Sequence, residues 1–269
     1  MNRRELFDKF DDLSKLIHES FKITEKEPLE ISEIHDEVKD IYEIAFFMLN
    51  RVQEQTDTTV KLFLNGEWAS FEALCRIAME YSMRLAYILH KEQKERFSQY
   101  FSCYFAEMER IQNLSVNEKI KINFKESENN LEIRKSIMIE YCRRHGLDIT
   151  KEYIKINFRD MCIDLNCNDI YRTFYSNLSS IVHADADALI DFIIIECIQW
   201  PDTKKQNAYK EFYEWMVNEL IAVLNIYITT YEMYYKLFLK NSKKPLELIK
   251  KIRTCLNKHL SELSLNNKK

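Results

Sequence analysis

The chain has 269 residues, a formal net charge of -4, two glycines and three prolines. Strands need turns, and turns draw on Gly, Pro, Asn and Asp, so this composition excludes a sheet-rich fold. Two glycines also cannot furnish a P-loop, a G-x-G-x-x-G turn or a G-x-S-x-G elbow, which excludes standard P-loop nucleotide hydrolysis and α/β-hydrolase chemistry.

The predicted fold is all-α, a bundle of roughly seven to nine helices with no significant sheet. An aromatic share of 13% within an apolar share of 46% supplies a sizeable core. Residues 3–22 form the first amphipathic helix, with Leu6, Phe10, Leu13, Ile17 and Phe21 at spacings of three and four. Pro28 ends it, so residues 1–30 are read as a helical arm and 31–269 as one helical domain. Ser32 is placed as the N-cap of a second helix running to about Val52. A polar stretch follows, in which VKLFL is ambiguous between a helical turn and an extended segment. Gly66 then opens the central helix, which ends at His90.

Past the charged run KEQKER, Tyr100, Phe101, Phe105 and Met108 mark a fourth helix. Residues 117–144 form a charged helix with a break placed near 128–130, ended by Gly146 after three cationic side chains. Residues 151–165 form a helix or a pair of turns. Asn168 or Asp169 caps the helix 170–184, and Asp185 or Asp187 caps the one that Pro201 ends. A long aromatic helix covers 204–239. Pro245 starts the last helix. Acidic residues dominate 1–60 and basic residues dominate 236–269. The basic tail can pair with the acidic front or meet a polyanion.

Seven cysteines at irregular spacing, with no C-x-x-C, are read as reduced thiols of a cytoplasmic protein. No apolar run reaches the ~18–20 residues of a membrane span. No His pair has zinc-site spacing, so no metal and no cofactor is expected.

Two polar stripes stand out. Glu72, Arg76, Glu80 and Arg84 lie at steps of four on the central helix, which is apolar over most of its remaining circumference. Either they are a solvated stripe of pairs worth ~0.3–0.5 kcal/mol each, or they are a buried network that must be hydrogen-bonded. The second stripe is Arg172, Tyr175 or Ser176, Ser179 and His183. His183 suits general acid or base work because its pKa lies near neutrality, or it is a core histidine held by a neighbour. Asp185 can orient it, bind a cation or cap the next helix.

Two segments, NGEWASFEALCRIAMEYSMRLAYIL and YSNLSSIVHADA, resemble a bacterial all-helical family known only by a domain-of-unknown-function label. The resembling features are Arg76 and Glu80 in one segment and Tyr175, Ser179 and His183 in the other. The resemblance implies that these two helices pack together, and it implies no activity. A looser likeness is to HEPN proteins, helical domains that include RNA-cleaving toxins and carry Arg-x(4–6)-His, often at a dimer interface. Arg84 and His90 fit that spacing, with Leu85 where a polar residue usually follows the Arg.

The leading expectation is therefore a polar site with Arg76, Glu80 and His183 in catalytic roles and Tyr175, Ser179, Arg172 and Asp185 as ligand contacts. Its ligand would be a small anion, a nucleotide or RNA, in a protein of defence or stress, and a homodimer or a protein partner is a further expectation. The alternatives are a HEPN-like ribonuclease using Arg84 and His90, and a non-enzymatic interaction module whose partner surface is the aromatic helix 204–239.

Overall fold

The helix Trp68–His90 lies between two others and has little freedom to face water. Phe71, Cys75, Ala78, Met79, Ser82, Met83 and Leu85 are buried along it. The computed structural model describes residues 3–26, 33–117, 124–150, 153–176, 178 and 202–266. Among the described residues there are nine α-helices and no sheet. They are α1 (Arg3–Lys26), α2 (Lys39–Asn65), α3 (Trp68–His90), α4 (Gln93–Asn117), α5 (Phe124–Arg144), α6 (Phe158–Asp164), α7 (Asn168–Ile170), α8 (Asp202–Phe238) and α9 (Lys243–Asn266).

Helices α2 and α8 pack along both sides of α3 and against each other. Helix α1 packs on α2 and α9, and it adds Phe10, Leu13 and Ile17 to the same core as the rest of the chain. Burial of such side chains is the main stabilising term, at roughly 25 cal/mol per Å² of apolar surface. Polar side chains fix the register of α1, α2 and α8. Ser20 Oγ lies 2.5 Å from the Tyr227 hydroxyl, Thr24 Oγ1 lies 3.1 Å from that of Tyr235, and Gln53 Nε2 donates to Thr24 Oγ1 at 2.8 Å. These groups are buried, so each needs its partner. A single antiparallel bridge, Ile34 with Leu239, ties the segment before α2 to the end of α8.

Several boundaries differ from the sequence-based expectation. Helix α2 continues through the polar stretch and VKLFL to Asn65, because Val60 and Phe63 keep the apolar spacing and Thr56 and Thr59 bond back to carbonyls four residues earlier. Gly66 terminates α2 instead of opening α3. It takes φ 74°, and the next amide, Glu67 N–H, donates to Leu62 O at 3.0 Å. The second helix begins at Lys39, after a 3-10 turn over Asp36–Val38. The Ser32 cap lies outside the described residues. Helix α5 has no break near 128–130, and Gly146 follows it with φ 69° as expected. Within 153–165 only Phe158–Asp164 is helical, capped by Asn157. Neither Asn168 nor Asp169 caps the next helix. Its N-cap is Cys167, without a side-chain bond.

The aromatic helix is mostly core. Tyr227, Tyr231, Tyr234 and Tyr235 are at most 2% exposed, which overturns the partner-surface reading for that half of α8. Only its earlier aromatics, such as Phe212 and Tyr213, are partly exposed, and both meet Trp68 edge-on. Among the described residues, no helix is long and apolar enough to cross a membrane.

Candidate functional site

Of the four charges spaced along α3, Arg76 and Glu80 join in an ion pair. Arg76 Nε donates to Glu80 Oε1 at 3.1 Å, with the two side chains 18% and 28% exposed. The same carboxylate oxygen accepts the Tyr175 hydroxyl at 2.7 Å. The Arg76 guanidinium carbon lies 5.4 Å from the centre of the Tyr175 ring, within cation–π range. One carboxylate oxygen thus serves a cation and a phenol that are far apart in sequence.

Tyr175 reaches Glu80 because of a local departure from α-helix. Residues Tyr171–Tyr175 form a π-helical turn after α7. Such turns are rare and often occur at functional sites. The wider turn brings Tyr171 and Tyr175 over one another, stacked at 5.6 Å. Phe158 of α6 stacks on Tyr175 at 3.9 Å and 20° and lies 6.4 Å from the Tyr171 ring. The phenol therefore belongs to a cluster of three rings while its hydroxyl reaches Glu80 on α3.

Burial raises the Tyr175 pKa above its ordinary value, and the bond to Glu80 raises it further. Burial acts to lower that of Arg76, but Tyr175 and Glu80 outweigh it and the guanidinium stays cationic. The cluster therefore offers a fixed cation, an oriented carboxylate and a phenol that keeps its proton. That set suits binding and orienting an anion, and neither Arg76 nor Tyr175 is poised to exchange a proton at neutral pH.

The other expected site residues fare differently. Arg172 and Ser176 are exposed, so Tyr175 is the member of its stripe that faces α3. Ser179, His183 and Asp185 lie outside the described residues. Arg84 is half-buried and His90 is exposed at the last position of α3. Six residues on one helix separate them by ~9 Å of rise and about 120° of rotation.

Beyond Glu80, α3 borders a cavity of about 230 Å³ shared with α4, α6 and the segment before α6. Arg84, Tyr100, Tyr104, Lys155 and Met161 are among its walls. No single motif announces it, because its walls come from separate stretches of chain.

Two further groups escape a sequence reading. Arg96, 5% exposed, donates to Asp164 Oδ2 at 2.8 Å and to the Tyr87 carbonyl, and it lies 3.6 Å over the Tyr87 ring. The only sequence hint is a cation in a run that otherwise reads as a solvated corner. Glu219 is fully buried on α8, where Trp215 is the polar neighbour that acts on its carboxylate among the described residues. Burial first, and the charge of Glu72 second, push its pKa up to about 8.

No curated protein and no solved structure matches the chain. A family model described as a family of unknown function, DUF5677, matches residues 42–197. That span holds Arg76, Glu80, Tyr175, Ser179 and His183.

Proposed function

The chain belongs to the DUF5677 family, and we propose that it binds a small phosphate-bearing anion, a free nucleotide being the leading class, at the Arg76–Glu80–Tyr175 cluster. The observation that carries this reading is the shared acceptor. Glu80 Oε1 holds the Arg76 Nε–H and the Tyr175 hydroxyl together, which orients a guanidinium whose remaining N–H groups can meet phosphate oxygens. Ser179 and His183, four and eight residues after Tyr175, belong to the proposed site by their helical spacing, and Asp185 would orient the imidazole. In a catalytic version His183 is the general acid or base and Arg76 stabilises charge on phosphate. A role in bacterial defence or stress is part of the same proposal.

Calorimetric titration of the full chain with nucleoside monophosphates and triphosphates is the test. Saturable binding that Arg76→Gln weakens at least tenfold supports the reading, and an Arg76→Gln protein that binds like the parent overturns it. His183→Ala should abolish any cellular phenotype while leaving the melting temperature unchanged. A large fall in melting temperature without separate loss of function instead supports a structural network in an interaction module.

The HEPN-like reading is a metal-independent ribonuclease acting through Arg84 and His90. The rotation between these residues on α3 means that one chain alone does not aim both at one phosphate, so this reading requires a homodimer. Incubation of total RNA with the parent, His90→Ala and His183→Ala proteins decides it. Absence of cleavage by the parent eliminates it.

A further inference from the structure

We propose that the cavity beside Arg84 is a ligand site for a small planar aromatic anion, one ring system carrying a carboxylate or phosphate. This site is separate from the Arg76 cluster and does not depend on it. Arg84 follows Arg76 by eight residues, about 12 Å along α3.

The charge arrangement carries the inference. Arg84 is half-buried and lines the cavity. Among the described residues it forms no ion pair, whereas Arg76 and Glu80 on the same helix do. Glu80, one turn earlier, is committed to Arg76 and Tyr175. The carboxylate in the cavity wall, Glu107, is held by Arg110 through two hydrogen bonds at 3.0 and 2.8 Å. Arg96 is matched by Asp164. Lys155 on the facing segment is exposed and lines the same space. Arg84 and Lys155 thus face a cavity whose one wall carboxylate, Glu107, is bonded by Arg110 and also feels Lys155, which leaves Arg84 as the cation to be matched. A cation drawn partly out of water without a counter-charge is costly, and a bound anion removes that cost.

The walls specify the rest of the ligand. Tyr100 and Tyr104 stand one turn apart on α4 and present aromatic surface to the cavity. Burial raises the Tyr100 pKa, so its hydroxyl remains a donor. A guanidinium beside phenol rings favours a flat π-system, which can stack on either. A volume of about 230 Å³ is below the ~300–1,000 Å³ of sites for drug-sized ligands, so one ring system fits and a chain of them does not. The facing wall is fastened in place. Gln99 Nε2 donates to the Ile154 carbonyl at 2.6 Å, and Cys103 Sγ lies 3.7 Å from the Tyr153 carbonyl oxygen.

Calorimetric titration of the full chain with phenyl phosphate, uncharged phenol, a hydroxybenzoate and inorganic phosphate tests the assignment. At least one aromatic anion should bind tenfold or more tightly than both phenol and phosphate. Preference between the two aromatic anions identifies phosphate or carboxylate as the acid. Arg84→Gln should weaken that binding at least tenfold without lowering the melting temperature, since Arg84 forms no ion pair among the described residues. Lys155→Gln, at an exposed position, should weaken it severalfold and serves as the second variant if Arg84→Gln is unstable. Arg76→Gln should change it less than twofold. Absence of saturable binding, equal affinity for phosphate, or loss through Arg76→Gln instead of Arg84→Gln overturns the proposal.

Discussion

The Tyr175 hydroxyl donates to Glu80 Oε1 at 2.7 Å, joining positions 95 residues apart. This bond fastens the π-helical turn to α3 and sets the direction in which Arg76 points. Tyr175→Phe keeps the stack on Phe158 and deletes only the donor, so it should cost about 1 kcal/mol. Combined with Glu80→Gln in a urea-denaturation cycle, the two losses should fall short of additivity by about 0.5 kcal/mol or more. Strict additivity would show that the bond does not couple them in solution.

Glu219 makes stability depend on pH in an unusual direction. Its folded pKa of about 8 stands above the ordinary 4.5, so the native state holds the proton more tightly than the unfolded chain. The contribution is fully favourable below about 4.5 and is lost as pH rises through about 8. Each unit of separation is worth roughly 1.4 kcal/mol, so the loss across this window is on the order of a few kcal/mol. Glu219→Gln should flatten melting temperature against pH between 5 and 8.5, and it should be the more stable protein at the alkaline end. Parallel curves for the two proteins would refute the assignment.

Arg96 clasps the junction of α3, α4 and α6. Its guanidinium bonds Asp164 and the Tyr87 carbonyl and covers the Tyr87 ring. Arg96→Ala should cost about 2 kcal/mol, since it empties packed space and removes one of the two cations on Asp164, Lys91 being the other. Arg96→Lys should recover little, because an ammonium cannot reproduce the planar fork. Lys91 first, and Arg96 second, hold the Asp164 pKa below its ordinary value. This share of stability is therefore present above about pH 4 and disappears as pH falls further. Chemical denaturation of the two variants at pH 7 is the check, and an Arg96→Lys protein as stable as the parent would contradict the fork argument.

Both glycines occupy left-handed backbone, at φ 74° and 69°. At Gly146 an added Cβ would meet only the Lys94 Nζ, at 3.5 Å, so the cost of Gly146→Ala is conformational and should be about 1 kcal/mol. Gly146→Asn should cost less than Gly146→Ala, because Asn tolerates this region. The reverse order in thermal melts would point to packing against Lys94 as the cause.

Much of the fold was legible because helices are specified locally. The spacing of Phe71, Cys75, Met79 and Leu85 marks α3, and the cations before Gly146 mark the end of α5. Where the reading failed, tertiary burial outweighed local signal. The polar run after Val52 reads as lying beyond the second helix, with VKLFL open between a helical turn and an extended segment, yet Thr56 and Thr59 are buried within α2. The π-helical turn at 171–175 has no sequence mark, since it depends on the packing of Tyr175 against Phe158.

The sequence by itself determined an all-helical chain, with Arg76 and Glu80 on one face and Tyr175 on another helix. Helix periodicity and a shortage of glycine and proline are enough for that. Only the tertiary structure decided which charges find partners. Helical spacing allows Glu72–Arg76, Arg76–Glu80 and Glu80–Arg84 alike. Tyr175 adds a second donor at Glu80 Oε1 beside Arg76, and Arg84, in no ion pair among the described residues, lines a cavity. Pairing on a helix surface is set by what the neighbouring helices bring to it, and sequence spacing along one helix does not contain that information.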